Sequence, residues 1–356
     1  MVMCAKKMVS VSLQAFLLRG KALRPICALL CSLGISSASA ALQERLDSVI
    51  VCDSNEMLRY EYAYNANGKL RGSKVYKQDG NTMILQRASS YGYDAFGRNN
   101  ARTDSVRING TMKLECMYDI TYTNDSKVSQ VKCSYPLRGT TRLSCDSVYY
   151  TYDKDGSLLR YVCMDCDTKD TVEYKNFVYD EHERCIECRV TEKSACRLID
   201  VGVDRYEYVA NGRVAKEVHM APTTGFRTET LNEYDSIGHC VLTQMGYTTK
   251  PEMEWHTKNV MTYDERGNLL YVKGYMMTPS GWRHDKTKVY VYDMERENVP
   301  EPECGDKLFL GHGSRFSLTE NPPCSNRLMR ADCYYCDGDR ISSTRYWYSD
   351  DNMREW

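Results

Sequence analysis

The chain lacks an excess of charge of either sign, with 47 basic against 48 acidic side chains, and that balance argues against a basic nucleic-acid binder. It lacks a hydrophobic run of membrane-spanning length, since the longest apolar stretch, near residues 26–33, is well short of the roughly 20 residues a bilayer requires. Phenylalanine and tryptophan are scarce, at six and four residues, and the six histidines fall singly. No Gly-x-Ser-x-Gly order is present, and Gly311-His312-Gly313-Ser314 resembles a nucleophile or oxyanion loop only superficially. What the chain does have is 28 tyrosines, a bias that suits half-buried strands whose rings keep a wet hydroxyl. At 42% hydrophobic residues it is too apolar for disorder, and its mean hydropathy of -0.56 is too polar for a life in lipid.

Residues 1–40 read as a secretory signal peptide: Lys6, Lys7, Arg19, Lys21 and Arg24 precede the apolar run, and Ser37-Ala38-Ser39-Ala40 supplies the cleavage site. Its removal takes away five positive charges, leaving 42 basic against 48 acidic residues, and three cysteines, leaving fourteen of the 17. The mature chain is then mildly acidic, without a transmembrane segment, and destined for the periplasm, the cell surface or the medium. An even number of cysteines in an oxidising compartment reads first as disulfides.

The rest is one repeated unit. Ten tyrosines, Tyr64, Tyr93, Tyr122, Tyr152, Tyr179, Tyr208, Tyr234, Tyr263, Tyr292 and Tyr348, recur at steps of 26–30 residues, except for a final step of 56 that implies a degenerate unit near residue 320. Asp follows the anchor in six units and Gly stands four residues after it in six, as in Tyr93-Asp94/Gly97, Tyr152-Asp153/Gly156 and Tyr263-Asp264/Gly267. Asp caps the free amides of a tight turn and Gly accepts a positive φ, so the motif predicts a hairpin turn. Tyr-x-Tyr before the turn puts two rings on one face, and an apolar or Cys residue six past most anchors marks a buried row, with Asn99 the exception. A second turn in each unit, such as Asn109-Gly110, leaves two strands of about ten residues. The expectation is an all-β chain: a repetitive antiparallel hairpin meander of some twenty strands forming a long twisted or coiled open sheet. Repeats span 41–296, a Pro- and Cys-containing loop is expected over 297–332, and the last repeat strands and tail over 333–356. An outer-membrane barrel is set aside, because Tyr346-Trp347-Tyr348-Ser349-Asp350-Asp351 supplies no lipid-facing band.

Segments such as Tyr150-Thr151-Tyr152-Asp153-Lys154-Asp155-Gly156 and Met261-Thr262-Tyr263-Asp264-Glu265-Arg266-Gly267 resemble the YD repeats of the RHS family, and more closely the exported YD-like repeat proteins of Gram-negative envelopes, which have no assigned activity. The resemblance covers about residues 58–296 and 340–352. It implies stacked hairpins forming a strip or shell with carbohydrate or partner contacts. The period here is longer than that of RHS units, and no toxin domain follows the last anchor.

Chemistry-bearing motifs are few. Cys163-x-x-Cys166 with Cys185-x-x-Cys188 has the spacing of a zinc ribbon, yet residues three apart on a strand face opposite sides. Folding each unit at its Tyr-Asp turn instead sets Cys145 across from Cys163 and Cys116 across from Cys133, while Cys188 and Cys196 flank Thr191–Ser194, so disulfides, zinc and free thiols stay open in that order. Cys333-Tyr-Tyr-Cys336 reads as a structural bridge to Cys304 or Cys324 before a redox pair. The tyrosine rows are a possible glycan-stacking platform or simply amphipathic cover for a thin sheet. No catalytic residue, cofactor or metal is expected. The reading is a non-catalytic exported repeat protein with a protein or glycan partner in the envelope; the alternative is a redox or zinc protein using the CxxC pairs.

Overall fold

The computed structural model describes residues 45–53, 56–137, 143–194, 197–298 and 324–348. The signal-peptide assignment to residues 1–40, together with Cys196, Cys304 and the Gly311–Ser314 segment, lies outside the described residues. The described chain is all strand and turn. In order these are β1 (Leu46–Asp53), β2 (Met57–Tyr64), β3 (Leu70–Asp79), β4 (Thr82–Tyr93), β5 (Asn99–Ile108), β6 (Thr111–Tyr122) and β7 (Val128–Pro136). There follow β8 (Leu143–Tyr152), β9 (Leu158–Asp165), β10 (Thr171–Tyr179), β11 (Cys185–Ser194), β12 (Arg197–Tyr208), β13 (Val214–Ala221) and β14 (Phe226–Tyr234). The last are β15 (Cys240–Thr248), β16 (Trp255–Tyr263), β17 (Leu269–Thr278), β18 (Gly281–Glu297), β19 (Asn326–Tyr335) and β20 (Arg340–Tyr348).

Each strand pairs antiparallel with its neighbours in sequence, from Tyr64↔Leu70 onwards, and β20 then pairs with β1 through Tyr348↔Leu46, Tyr346↔Val49 and Thr344↔Val51. The sheet therefore closes into a single up-and-down barrel, which corrects the expected open, twisted or coiled sheet. The reason is in the chain ends. Among the described residues, β20 ends on an anchor tyrosine with no strand after it, and β1 is a strand with no anchor before it. Each supplies the half-unit the other lacks, and closure removes both exposed edges.

The 56-residue step between Tyr292 and Tyr348 holds only β19 and β20 among the described residues, so it is one unit carrying an insertion and not two units. The break is also shorter than 297–332, because residues 326–332 belong to β19.

All Tyr-Asp turns lie at one rim and all second turns at the other. At the first rim eight of the ten anchors are followed by a turn of five residues: the amide of the first residue donates to the carbonyl of the fifth, as in Asp153 N to Ser157 O at 2.9 Å and Asp264 N to Asn268 O at 3.0 Å. The residue four past the anchor has a positive φ, 91° at Gly156 and 83° at Gly267. Ser126 and Glu183 occupy the same place at 65° and 60°, a conformation that costs a residue with a Cβ on the order of 1 kcal/mol.

A bulge follows every one of these turns. Tyr152 pairs with Leu158 but Thr151 with Arg160, and the same one-residue slip recurs from β2/β3 through β18/β19 and again at β20/β1. Two residues then oppose one, so positions six and nine past the anchor both turn to the tyrosine face. That face is the buried one. Leu46, Leu70, Leu158, Cys185, Leu269 and Leu328 form its row beside the anchors, with Leu269 fully covered. Asn99, the exception in sequence, is also buried there, at 7% exposure, with neither amide atom bonded to another group. On the opposite face, Thr121, Thr151, Val178, Glu207, Glu233 and Val291, each one residue before an anchor, are exposed.

Candidate functional site

The residues that sequence reading singles out assemble into a closed belt at the Tyr-Asp rim. Asp94 Oδ1 accepts the amides of Phe96 and Arg98, at 3.0 and 2.8 Å; Asp153 does the same for Asp155 and Ser157, and Asp264 for Arg266 and Asn268. Burial alone raises the Asp94 and Asp264 carboxyls, but these amide bonds, with Arg98 and Asn268 side-chain bonds, hold both below the ordinary carboxylate value.

Every anchor hydroxyl is also committed. All ten donate to the backbone carbonyl six residues past the preceding anchor, or to its counterpart Leu46 or Leu328, at 2.5–2.9 Å. Tyr93 reaches Leu70, Tyr152 reaches Val128, Tyr263 reaches Cys240 and Tyr64 reaches Leu46. These bonds straddle the bulge, where the slip takes a carbonyl out of the ladder. Burial pushes the Tyr152 and Tyr234 phenols up to about 12.

One element of the belt escaped sequence reading. The residue five past an anchor lays a cation over the next anchor's ring: Lys69 over Tyr93 at 5.5 Å, Arg98 over Tyr122 at 4.5 Å, Lys127 over Tyr152 at 5.3 Å, Arg184 over Tyr208 at 4.8 Å and Arg213 over Tyr234 at 5.6 Å. His239 stacks on Tyr263 at 4.5 Å. The signal was there, as a basic residue directly after the turn glycine in several units. At Asn268 the same position serves the insertion: its Oδ1 accepts the amides of Ser325 and Asn326, at 2.8 and 2.9 Å, clamping the returning chain.

The belt has a plain chemical consequence. The anchor hydroxyls are all tied to the wall, most anchor rings carry a cation or imidazole on one face, and Tyr91, Tyr150, Tyr206 and Tyr290 are buried behind them.

The cysteines sit differently from their expected pairing. Cys145 is bonded to Cys166 and not to Cys163, with Cα atoms 5.4 Å apart. The turn and the bulge together explain the error: the turn is centred on Asp155, so that Tyr152 pairs with Leu158, and the bulge adds one residue more, so Cys163 registers with Val148 and Asp146 with Asp165. Cys116 and Cys133 are diagonal neighbours on the tyrosine face with sulfurs 2.8 Å apart, as thiols. Thr191–Ser194 is strand and not turn, and Cys188 registers with Asp204 and Phe177. Cys185 and Cys188, three apart, share the buried face because of the same bulge, contrary to the simple alternation assumed for a strand. No group of three or more His, Cys, Asp or Glu side chains converges as a metal site among the described residues. Burial pushes the Cys163 and Cys185 thiols up to about 12 and Cys188 in the same direction, the reverse of what a reactive thiol needs.

Below the belt the tyrosine face carries charged pairs. Arg102 meets Asp104 at 2.5 Å, Lys175 meets Glu173 at 2.5 Å, and His219 Nδ1 lies 2.6 Å from Asp204. These groups satisfy one another along the wall of β5, β10 and β12/β13.

No family model matches the chain, and no curated protein matches it. Among solved structures it is similar to a porin-like protein from Bacteroides uniformis, 9% identical over 60% of this chain and 94% of that one, with a TM-score of 0.37. A second porin-like protein, from Bacteroides vulgatus, is 9% identical over 87% of this chain and all of that one, at 0.30. A third, described as TcdB2-TccC3-TEV, is 13% identical over 83% of this chain and 19% of that one, at 0.32.

Proposed function

We propose that the chain is a non-catalytic exported barrel of the cell envelope, a water-exposed scaffold that meets a protein partner at the rim opposite the Tyr-Asp turns. The observation that carries this reading is the commitment of the tyrosine belt: all ten anchor hydroxyls bond backbone carbonyls of the wall. Contact then falls to the other rim, where the turns vary and Met83, Ile108, Leu198, Phe226, Met276 and Tyr335 are exposed near the strand ends. Clusters of exposed apolar side chains mark interaction surfaces more often than isolated ones do.

The row composition supports a position in water. A membrane barrel needs an outward apolar band about 25 Å tall. The opposite face carries Glu61, Asp119, Arg205, Glu207, Glu233 and Arg345, and the tyrosine face carries the Arg102, Lys175 and Asp204 pairs below its belt. No helix among the described residues is long and apolar enough to cross a membrane.

The test is a pull-down from envelope extract with the mature protein and with a Met83→Ser/Phe226→Ser/Tyr335→Ser variant, beside a glycan array. The reading expects a protein captured by the first and lost by the second at unchanged melting temperature, with the array empty and the protein monodisperse without detergent. Capture retained by the triple variant, or a requirement for detergent, overturns it.

A further inference from the structure

Eight of the ten junctions at the Tyr-Asp rim are five-residue hairpin turns, β18 and β19 are joined through a longer segment, and β20 and β1 are not consecutive in the chain. Between β20 and β1 the bulge, the hydroxyl bond and the cation over the next anchor are nevertheless reproduced. Tyr348 pairs with Leu46 and Trp347 with Ser48, giving the same bulge. Tyr64 Oη donates to the Leu46 carbonyl at 2.7 Å, Arg45 lies over the Tyr64 ring at 5.4 Å, and Arg327 lies over Tyr348 at 4.4 Å. Leu46, Val49 and Tyr348 form a small buried cluster of their own, separate from the two larger ones along the wall.

We propose that β1 is an exchangeable strand, and that the slot between β20 and β2 is a strand-binding site that takes residues 45–53 either from its own chain or from a second copy. The occupant is specified by the slot. It needs a cation at the place of Arg45 to roof Tyr64, apolar side chains at the places of Leu46 and Val49, and an antiparallel backbone to satisfy the edges of β20 and β2. A segment of this chain meets those demands by construction. No peptide link joins it to β20 at this rim, and replacing it in trans remakes the same contacts: the ladders to β20 and β2, the Tyr64 Oη bond to the Leu46 carbonyl, the Arg45 contact with Tyr64 and the packing of Leu46 and Val49. Effective concentration favours the strand in cis when the protein is dilute, and a second copy competes as concentration rises. An opened slot leaves two unpaired edges, which drives refilling.

The experiment uses the full mature chain and a labelled peptide of residues 43–53 carrying Cys52→Ser, equilibrated in mild urea and returned to buffer. Saturable uptake is expected, and refolding at rising protein concentration is expected to yield a growing dimer fraction by native mass spectrometry. A Leu46→Asp peptide is expected to be taken up at least about tenfold less, since it would put a carboxylate where Leu46 is 1% exposed. Because Ile50 registers with Arg345, an Ile50→Cys/Arg345→Cys variant provides a lock. Its reduced form should take up peptide and its oxidised form should not. Equal uptake in both forms, equal uptake of the Leu46→Asp peptide, or no uptake by the reduced form overturns the proposal.

Discussion

At the Tyr-Asp rim the hairpin turns from Asn65–Lys69 to Asp264–Asn268 each span five residues and enter a bulge, whereas at the opposite rim the connections range from Gly80–Asn81 to the segment 249–254. Both rims close the same strands, so strand pairing alone does not demand the regularity. It is demanded by the belt. A tyrosine that must bond the preceding unit's carbonyl and lie under that unit's cation tolerates no change in turn length, because one residue more would rotate every side chain to the other face. The opposite rim has no such cross-unit contact running round it, and its turns are free to differ. Among the described residues it is stapled instead by Cys145–Cys166.

The comparison can be broken or sharpened by substitution. The largest effect is expected from Leu269→Ala, which empties a fully buried site and should cost about 2–5 kcal/mol in urea unfolding, while Leu198→Ala at the other rim, 51% exposed, should stay within about 0.5 kcal/mol. Equal costs would mean that the belt is not the core. Next, Asp264→Ala removes the acceptor of the Arg266 and Asn268 amides and should cost about 1 kcal/mol, against no measurable loss for Asp79→Ala. The same carboxylates set an acid limit. Their folded values are depressed, so their stabilisation is complete above the unfolded carboxylate range near pH 4 and is lost as pH falls through the lower folded value. A pH series of melting temperatures should fall on the acid side, less steeply in Asp264→Ala.

A loss of the same order, about 1 kcal/mol, is expected for Tyr263→Phe, which keeps the ring and deletes the bond to the Cys240 carbonyl. The smallest effect has the opposite sign. Glu183→Gly relieves a positive φ of 60° and should stabilise by a few tenths to about 1 kcal/mol, seen as a higher denaturation midpoint. A destabilised Glu183→Gly would show that the side chain contributes more than its backbone costs.

Much of the belt was legible in the chain. Tyr93, Asp94 and Gly97 stand in the roles assigned to them because a tight turn reads its own chemistry locally: an acceptor for free amides, and a residue at ease with positive φ. The cation row was equally local and simply lay one position beyond the glycine. What misled was the bulge. It is a property of two strands together, and with the turn centred farther from the anchor than expected it moved the partner of Cys145 from Cys163 to Cys166, and it brought Cys185 and Cys188 onto one face. The insertion hid the unit count for a similar reason: Asn268 clamps Ser325 and Asn326 across 57 and 58 residues, a contact that no periodicity announces.

By itself the sequence determined the hairpin module, its two turns and the face its tyrosines share, since each depends on residues within one repeat and on the alternation of a strand. Only the tertiary structure decided that the array closes, which sulfurs meet and that the tyrosines are spent on the wall. Those depend on register summed over twenty strands, and on whether the last anchor returns to a first strand that carries its missing half.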